Sequence, residues 1–253
     1  MKELVVGGCS FTEHTSVSYK DINLKTDFPR WPEHLANKLN LKPVNLGHSG
    51  CGNDLISKRV SRYILENHKK IGFVAVLWSD WTRYSFLNAD YMHLNPELIG
   101  KTEHLPHGTN FDQTKTLTSM IDESLKCFPR WKFEKLYEGI SSKNILQFLQ
   151  VELLCQKYQI QHLFMQGIMN IQESLIKVLD INKDTLMSKV LEYEDYFDSE
   201  KFIGWPCFYE LGGTDYYNLS KNLTADKRFI SNEDFHPSEQ GHILIAETYH
   251  EHV

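Results

Sequence analysis

The sequence predicts a three-layer α/β sandwich built on a mainly parallel central sheet. Short apolar runs of strand length recur through the first third of the chain, and stretches with helical spacing fill the gaps between them. The run Phe73-Val74-Ala75-Val76-Leu77-Trp78 is apolar without alternation, the pattern of a strand covered on both faces. Strand and helix in alternation imply βαβ units, and therefore parallel strands sandwiched between helices.

The elements follow in order. Lys2 to Val6 is the first strand. Trp31 to Leu39 reads as a helix, with Trp31, Leu35 and Leu39 four apart and Pro32 in the first turn, where its missing N–H does no harm. Pro43 to Leu46 is a second strand. Asp54 to Glu66 is helical, with Leu55, Val60, Tyr63 and Ile64 roughly on one face, and Phe73 to Trp78 is the third strand. From 84 to 139 the rhythm breaks into a segment rich in His, Pro, Asn and Thr, with one helical pattern at Thr114 to Phe128. An excursion this long reads as a functional loop or a helical insertion. The rhythm resumes with a helix from Ser141 to Tyr158, whose Ile145, Phe148, Leu149 and Leu153 form a stripe, and a strand at Gln161 to Met165. Helical patterns at Gln172 to Leu179 and Lys183 to Tyr193 precede an irregular aromatic stretch from Tyr196 to Tyr217, and Ser238 to His250 closes the chain as a helix. No linker divides the sequence, so residues 1–253 are expected to form a single domain with the 84–139 insertion.

Composition narrows the function classes. A chain of 253 residues that is 41% hydrophobic can bury a substantial core. Net charge is -6 with both signs interspersed and no Lys/Arg run, which argues against a nucleic-acid partner. The five cysteines, Cys9, Cys51, Cys127, Cys155 and Cys207, are odd in number and widely spaced, and read as free thiols of a reducing compartment. No window is apolar enough to span a bilayer and no signal peptide opens the chain, so a cytoplasmic location without membrane partners is expected. Oligomeric state has no signature here.

In parallel α/β folds ligands bind beyond the carboxyl ends of the strands. Ser10 follows the first strand, Gly47 to Gly52 the second, and Ser79 to Arg83 the third, so three segments converge on one rim. The approach to the last helix, Asn232-Glu233-Asp234-Phe235-His236-Pro237-Ser238, can reach the same rim. A hydroxyl on an exposed turn after Gly7-Gly8, joined by a His preceded by two carboxylates, is the arrangement that makes a serine nucleophilic. The plainer alternatives are that Ser10 is a turn residue, that Gly47 and Gly50 are turn glycines, and that Asp234 caps the final helix.

With these segments the chain resembles the SGNH (GDSL-type) esterase and lipase family. Gly8-Cys9-Ser10-Phe11 matches the family's Gly-Asp-Ser block, and Asn45-Leu46-Gly47-His48-Ser49-Gly50 its Asn-x-Gly-x-x-Gly turn. Glu233-Asp234-Phe235-His236-Pro237, with Gly241-His242 downstream, matches its Asp-x-x-His-Pro block. The resemblance covers the two ends of the chain and leaves the middle unmatched. It implies ester hydrolysis or acyl transfer through an acyl-enzyme on Ser10, with His236 as base and a carboxylate behind it. Glu233 has the family's three-residue offset and is favoured; Asp234 has the more usual residue type and stays in contention. The N–H groups of Ser10 and Gly50 would serve the oxyanion, at roughly 3 kcal/mol per donor.

Two departures stand out. Cys9 replaces the Asp before the nucleophile. Where the family carries Gly-x-Asn-Asp, this chain has Leu77-Trp78-Ser79-Asp80-Trp81-Thr82-Arg83, which puts a carboxylate, unable to donate a hydrogen bond when ionised, at or near the amide position. Ser79 or Arg83 can substitute. Gly47-His48-Ser49-Gly50-Cys51 imitates a Gly-x-Ser-x-Gly elbow, but its fifth residue is Cys and it follows too few strands. Cys9, Cys51 and His48 lack a fourth well-spaced ligand, so neither metal nor cofactor is expected. The expected substrate is a small-molecule or glycan ester, the sugar guess resting on the make-up of the 84–139 segment. An inactive binding protein and an O-acyltransferase are the alternatives.

Overall fold

The computed structural model describes residues 1–14, 26–81, 84–85, 93–94, 131–167, 183–196, 198–232 and 234–253. Its strands are β1 (Glu3–Gly8), β2 (Lys42–Asn45), β3 (Ile71–Trp78), β4 (Tyr84–Ser85), β5 (His93–Leu94), β6 (Gln161–Gln166) and β7 (Phe202–Ile203). Five of them form one sheet in the order β2-β1-β3-β6-β7, and every pairing in it is parallel. β4 and β5 make a separate antiparallel ribbon. The central sheet is the α/β architecture expected from the sequence. Counted within the sheet alone, its order is 2-1-3-4-5, which reverses winding direction between β1 and β3 and opens a crevice at their carboxyl ends.

The helices are α1 (Trp31–Leu39), α2 (Asn53–Asn67), α3 (Trp131–Lys157), α4 (Lys183–Leu191), α5 (Tyr216–Leu219), α6 (Ala225–Arg228) and α7 (Glu239–Glu251). They pack in pairs, α1 with α7 and α2 with α3. α1 begins where Pro32 fits its first turn and the Glu33 carboxylate accepts the Arg30 N–H at 3.0 Å. It buries Trp31, Leu35 and Ala36, and the Trp31 ring stacks on Tyr249 of α7 with centroids 5.0 Å apart. On β3 and β6 the apolar run expected from the sequence is buried nearly throughout, and Trp78, Phe148, Phe164 and Phe202 make an aromatic centre with centroids 4.5–5.5 Å apart for the contacts Trp78–Phe148, Trp78–Phe164 and Phe148–Phe202.

Three sequence expectations need adjustment. α3 starts at Trp131, not Ser141, so the tail of the 84–139 segment is helical. Its inward face carries Asn144, Ile145, Phe148, Val151, Glu152 and Cys155, while Leu153 is 59% exposed. Glu152 holds the inward slot by accepting from Gln156 and from the Asp198 N–H, which turns its neighbour Leu153 outward. β7 was hidden in the aromatic stretch because two residues show no periodicity; it exists through its pairing with β6, Phe164 opposite Phe202. The helical patterns at Thr114 to Phe128 and Gln172 to Leu179 lie outside the described residues. Cys9, Cys51, Cys155 and Cys207 are free and buried. Among the described residues no helix is long and apolar enough to cross a membrane.

The α1–α7 seam contains a buried imidazole. His242 is 1% exposed; its Nδ1 accepts the Trp31 N–H at 3.3 Å and its Nε2 lies 3.2 Å from Arg30 Nη1. Both neighbours are donors, so a second ring proton would find no acceptor among them. Burial first, then the charges of Arg30, His34 and His236, pushes the His242 pKa well below its usual 6.5. The unfolded chain takes up a proton below about pH 6.5 that the folded chain refuses, so this contribution to stability is present above that pH and is lost as pH falls. The guanidinium unfolding midpoint is expected to fall from pH 7 to pH 5. His242→Gln should flatten that fall by up to about 1 kcal/mol per pH unit, read from denaturation curves at each pH.

Candidate active site

β1 runs straight into a single helical turn. The Cys9 carbonyl accepts from the N–H groups of Thr12 (2.9 Å) and Glu13 (3.1 Å), which sets Ser10 at the end of the strand. A Cβ on Gly8 would sit 2.0 Å from Thr12 Oγ1, so the turn closes only over glycine. Thr12 is fully buried and ties the turn to its surroundings: its Oγ1 accepts from Trp31 Nε1 at 3.2 Å and its carbonyl from Asn45 Nδ2 at 2.6 Å.

The other end of the chain arrives through the loop before α7. The Ile230 N–H donates to the His236 carbonyl at 3.0 Å and the Asp234 N–H to Ser231 Oγ at 3.0 Å. Ser238 caps α7 by accepting the Gly241 N–H at 3.1 Å, so the cap considered for Asp234 belongs to Ser238. His236 Nε2 lies 2.8 Å from Ser10 Oγ, and His236 Nδ1 lies 2.5 Å from Asp234 Oδ1, which also accepts the His236 backbone N–H at 3.2 Å. The Asp234 side chain is 1% exposed and that of His236 19%. Phe11 meets the imidazole edge-on at 5.5 Å and shields one side of it. With Nδ1–H held by the carboxylate, Nε2 is left as the acceptor for the Ser10 hydroxyl. Glu233, favoured by its offset, lies outside the described residues.

The loop after β2 stands beside the turn that carries Ser10. Its N–H groups are committed one by one: Gly47 to Asn45 Oδ1 (2.8 Å), His48 to the Gly8 carbonyl (3.1 Å), Ser49 to Glu13 Oε2 (3.2 Å) and Cys51 to the His48 carbonyl (3.2 Å). Among the described residues the N–H groups of Gly50 and Ser10 donate to nothing, which leaves both for a substrate oxygen. Gly50 has φ 73, a left-handed conformation that glycine adopts without strain. The Ser49 hydroxyl donates to the Glu13 carboxylate and meets no imidazole among the described residues. Cys51, whose thiol burial pushes up to about 12, is no thiolate, and His48 Nδ1 faces Glu13 at 3.1 Å. Among the described residues no group of three His, Cys, Asp or Glu side chains is placed to hold a metal ion.

The third segment is anchored from within. Ser79 is fully buried; its N–H donates to Asn53 Oδ1 (2.8 Å), and its carbonyl accepts from Asn53 Nδ2 (3.0 Å) and Gln166 Nε2 (2.8 Å). Asn53 Nδ2 also reaches Asn144 Oδ1 at 2.8 Å, Asn144 Nδ2 donates to the Trp81 carbonyl at 2.8 Å, and Trp81 Nε1 to Gln166 Oε1 at 3.0 Å. Both peptide groups of Ser79 are thus engaged by side chains of the frame. Asp80, next along, is 6% exposed, and Arg83 lies outside the described residues. Sequence reasoning passed over Asn53, Asn144 and Gln166. Their signal was a polar residue at a core-facing position, beside Leu55 and Ile56, beside Ile145, and at the end of an apolar strand. A groove of about 470 Å³ along α2 and α3, lined by Ser57, Lys58, Ser61, Arg62, Gln147 and Gln150 among others, includes none of the residues around Ser10.

No protein-family model matches the chain, and no curated protein matches it. Among solved structures it is similar to a member of the lipolytic protein G-D-S-L family from Veillonella parvula, at 13% identity over 99% of this chain and 97% of that one, with a TM-score of 0.46. It is also similar to a catalytic mutant of an acetylxylan esterase from Geobacillus stearothermophilus (13% identity, 99% and 93% covered, TM-score 0.43). A third is the psychrotrophic esterase EstA from Pseudoalteromonas sp. (10%, 99% and 96%, TM-score 0.44). At such identities the likeness concerns architecture alone, and the chemistry of the site rests on this chain's own side chains.

Asn53→Ala would remove the acceptor of the buried Ser79 N–H and the donor to the buried Asn144 Oδ1, at about 1–3 kcal/mol each. With about 2–4 °C of melting temperature per kcal/mol in a chain of this size, calorimetry should record a fall of at least about 4 °C.

Proposed function

We propose that this protein is a serine hydrolase that cleaves an ester through an acyl-enzyme on Ser10. The observation that supports it best is the continuous relay from Ser10 Oγ to His236 Nε2 (2.8 Å) and from His236 Nδ1 to Asp234 Oδ1 (2.5 Å). In this reading Ser10 Oγ attacks the ester carbonyl while its proton passes to Nε2, and Asp234 stabilises the imidazolium that forms. The N–H groups of Ser10 and Gly50 receive the negative charge on the carbonyl oxygen. The imidazolium then protonates the leaving alkoxide, and a water, deprotonated by the same nitrogen, releases the acid and restores Ser10. In this reading Asp234 takes the supporting role, a choice supported by its contact with His236 Nδ1.

The substrate is proposed to be an O-acyl ester of a small polar alcohol, a carbohydrate foremost, from the polar and aromatic composition of residues 84–139. Transfer to an alcohol acceptor in place of water would use the same residues. A reading without turnover, in which the fold only binds, draws on Asp80 standing where a side-chain amide donor is expected.

Turnover of p-nitrophenyl acetate by Ser10→Ala is expected to fall to the uncatalysed background, and an unchanged rate would remove the proposal. Asp234→Asn should lower kcat by about 10³–10⁴-fold, because the amide favours the wrong imidazole tautomer. Glu233→Gln should stay within about threefold of wild type. The reverse order would return the supporting role to Glu233.

A further inference from the structure

Glu13 belongs to the nucleophile turn, where its N–H donates to the Cys9 carbonyl, yet its side chain spends both oxygens on the neighbouring loop. Oε1 lies 3.1 Å from His48 Nδ1, and Oε2 accepts the Ser49 N–H at 3.2 Å together with the Ser49 hydroxyl. The Glu13 side chain is 19% exposed; its contact with His48 is partly buried, while those with Ser49 lie at the surface. The rest of the loop is fixed elsewhere: Gly47 by Asn45, His48 by Gly8, Cys51 by His48. Among the described residues, Glu13 is what holds Ser49, the residue immediately before Gly50.

We infer that Glu13 is a positioning residue that anchors Ser49 and so helps present the Gly50 N–H to the developing oxyanion, an inference that rests on the hydrolase reading above. The peptide carrying that N–H follows Ser49 directly and is spanned by the bond from the Cys51 N–H to the His48 carbonyl. With the Ser49 N–H and hydroxyl both bound to one carboxylate, the residue on the leading side of that peptide is held in place. Glu13 also consumes the Ser49 N–H, a second donor in the same loop that would otherwise compete for the charge. Glu13 thus adds a side-chain link between the Ser10 turn and the Gly50 loop to those made by His48 with Gly8 and Asn45 with Thr12, and it is the link that reaches Ser49. A donor aimed at charge that exists only in the transition state acts on kcat and leaves ground-state binding alone.

The test is steady-state hydrolysis of p-nitrophenyl acetate by wild type, Ser10→Ala, Glu13→Ala and Glu13→Gln, with rates normalised to the concentration of folded protein, checked by circular dichroism. Glu13→Ala is expected to lower kcat by about 10–100-fold, the scale of a misplaced catalytic group, with KM within about twofold. Glu13→Gln, which keeps one acceptor for the Ser49 N–H, should lose about tenfold; it carries the test if the alanine variant does not fold. A Ser10-dependent wild-type rate that the Glu13 variants leave within threefold, or a change in KM matching that in kcat, overturns this inference alone. A wild-type rate equal to that of Ser10→Ala removes the hydrolase reading and this inference with it.

Discussion

The site depends on Trp31, which fastens the two ends of the chain to each other. Ser10 and His236 are 226 positions apart, and their contact needs two loops to arrive in register. The Trp31 indole N–H donates to Thr12 in the nucleophile turn, its ring stacks on Tyr249 of α7, and its backbone N–H donates to His242 of the same helix. α7 is the element whose entry loop delivers His236 and Asp234. One buried residue therefore ties the turn after β1, which carries the Ser10 hydroxyl, to α7, whose entry loop carries His236. A fully buried indole stacked on a fully buried phenol resists displacement, because any shift would open a void in a close-packed interior.

Charge around the site is arranged in layers. Asp234 is sealed from solvent against His236, and the buried Arg30 lies near enough for its guanidinium to feel that carboxylate, with Glu33 acting on it more strongly. His242 beneath is held neutral by burial and by the positive groups around it. A neutral, donor-surrounded imidazole under the relay adds no competing positive charge next to His236. In the hydrolase reading the oxyanion would rest on backbone N–H groups, since the sequence carries Asp80 where a side-chain amide is expected. One such donor is worth about 3 kcal/mol elsewhere, so in that reading a site with two donors would be slowed rather than extinguished. That makes the placement of the Gly50 loop matter more here than it would with a third donor.

Much of this was legible in the sequence. β1, β3 and β6 announced themselves as apolar runs, because a parallel strand covered on both faces leaves no alternating pattern to misread. Ser10, His236 and Gly50 stood out because each follows or precedes an element whose end was readable. The choice between two adjacent carboxylates was not: Glu233 and Asp234 differ by one position, and nothing local in the sequence says which would meet the ring; the structure describes Asp234 against His236. The Asn53–Ser79–Gln166–Asn144 network was equally invisible, since a polar residue inside a helical face looks like a solvated position until its partners from other elements are known. β7 and the outward turn of Leu153 have the same cause: they are set by pairing and packing across the fold, not by local pattern.

The most direct test of the account is covalent labelling of the native protein with a fluorophosphonate, followed by intact-mass measurement and peptide mapping. A hydroxyl in contact with a carboxylate-supported imidazole should give a stoichiometric single adduct on the peptide containing Ser10, blocked in His236→Ala. A protein that stays unmodified, or that carries the adduct on Ser49 or another hydroxyl, would contradict it.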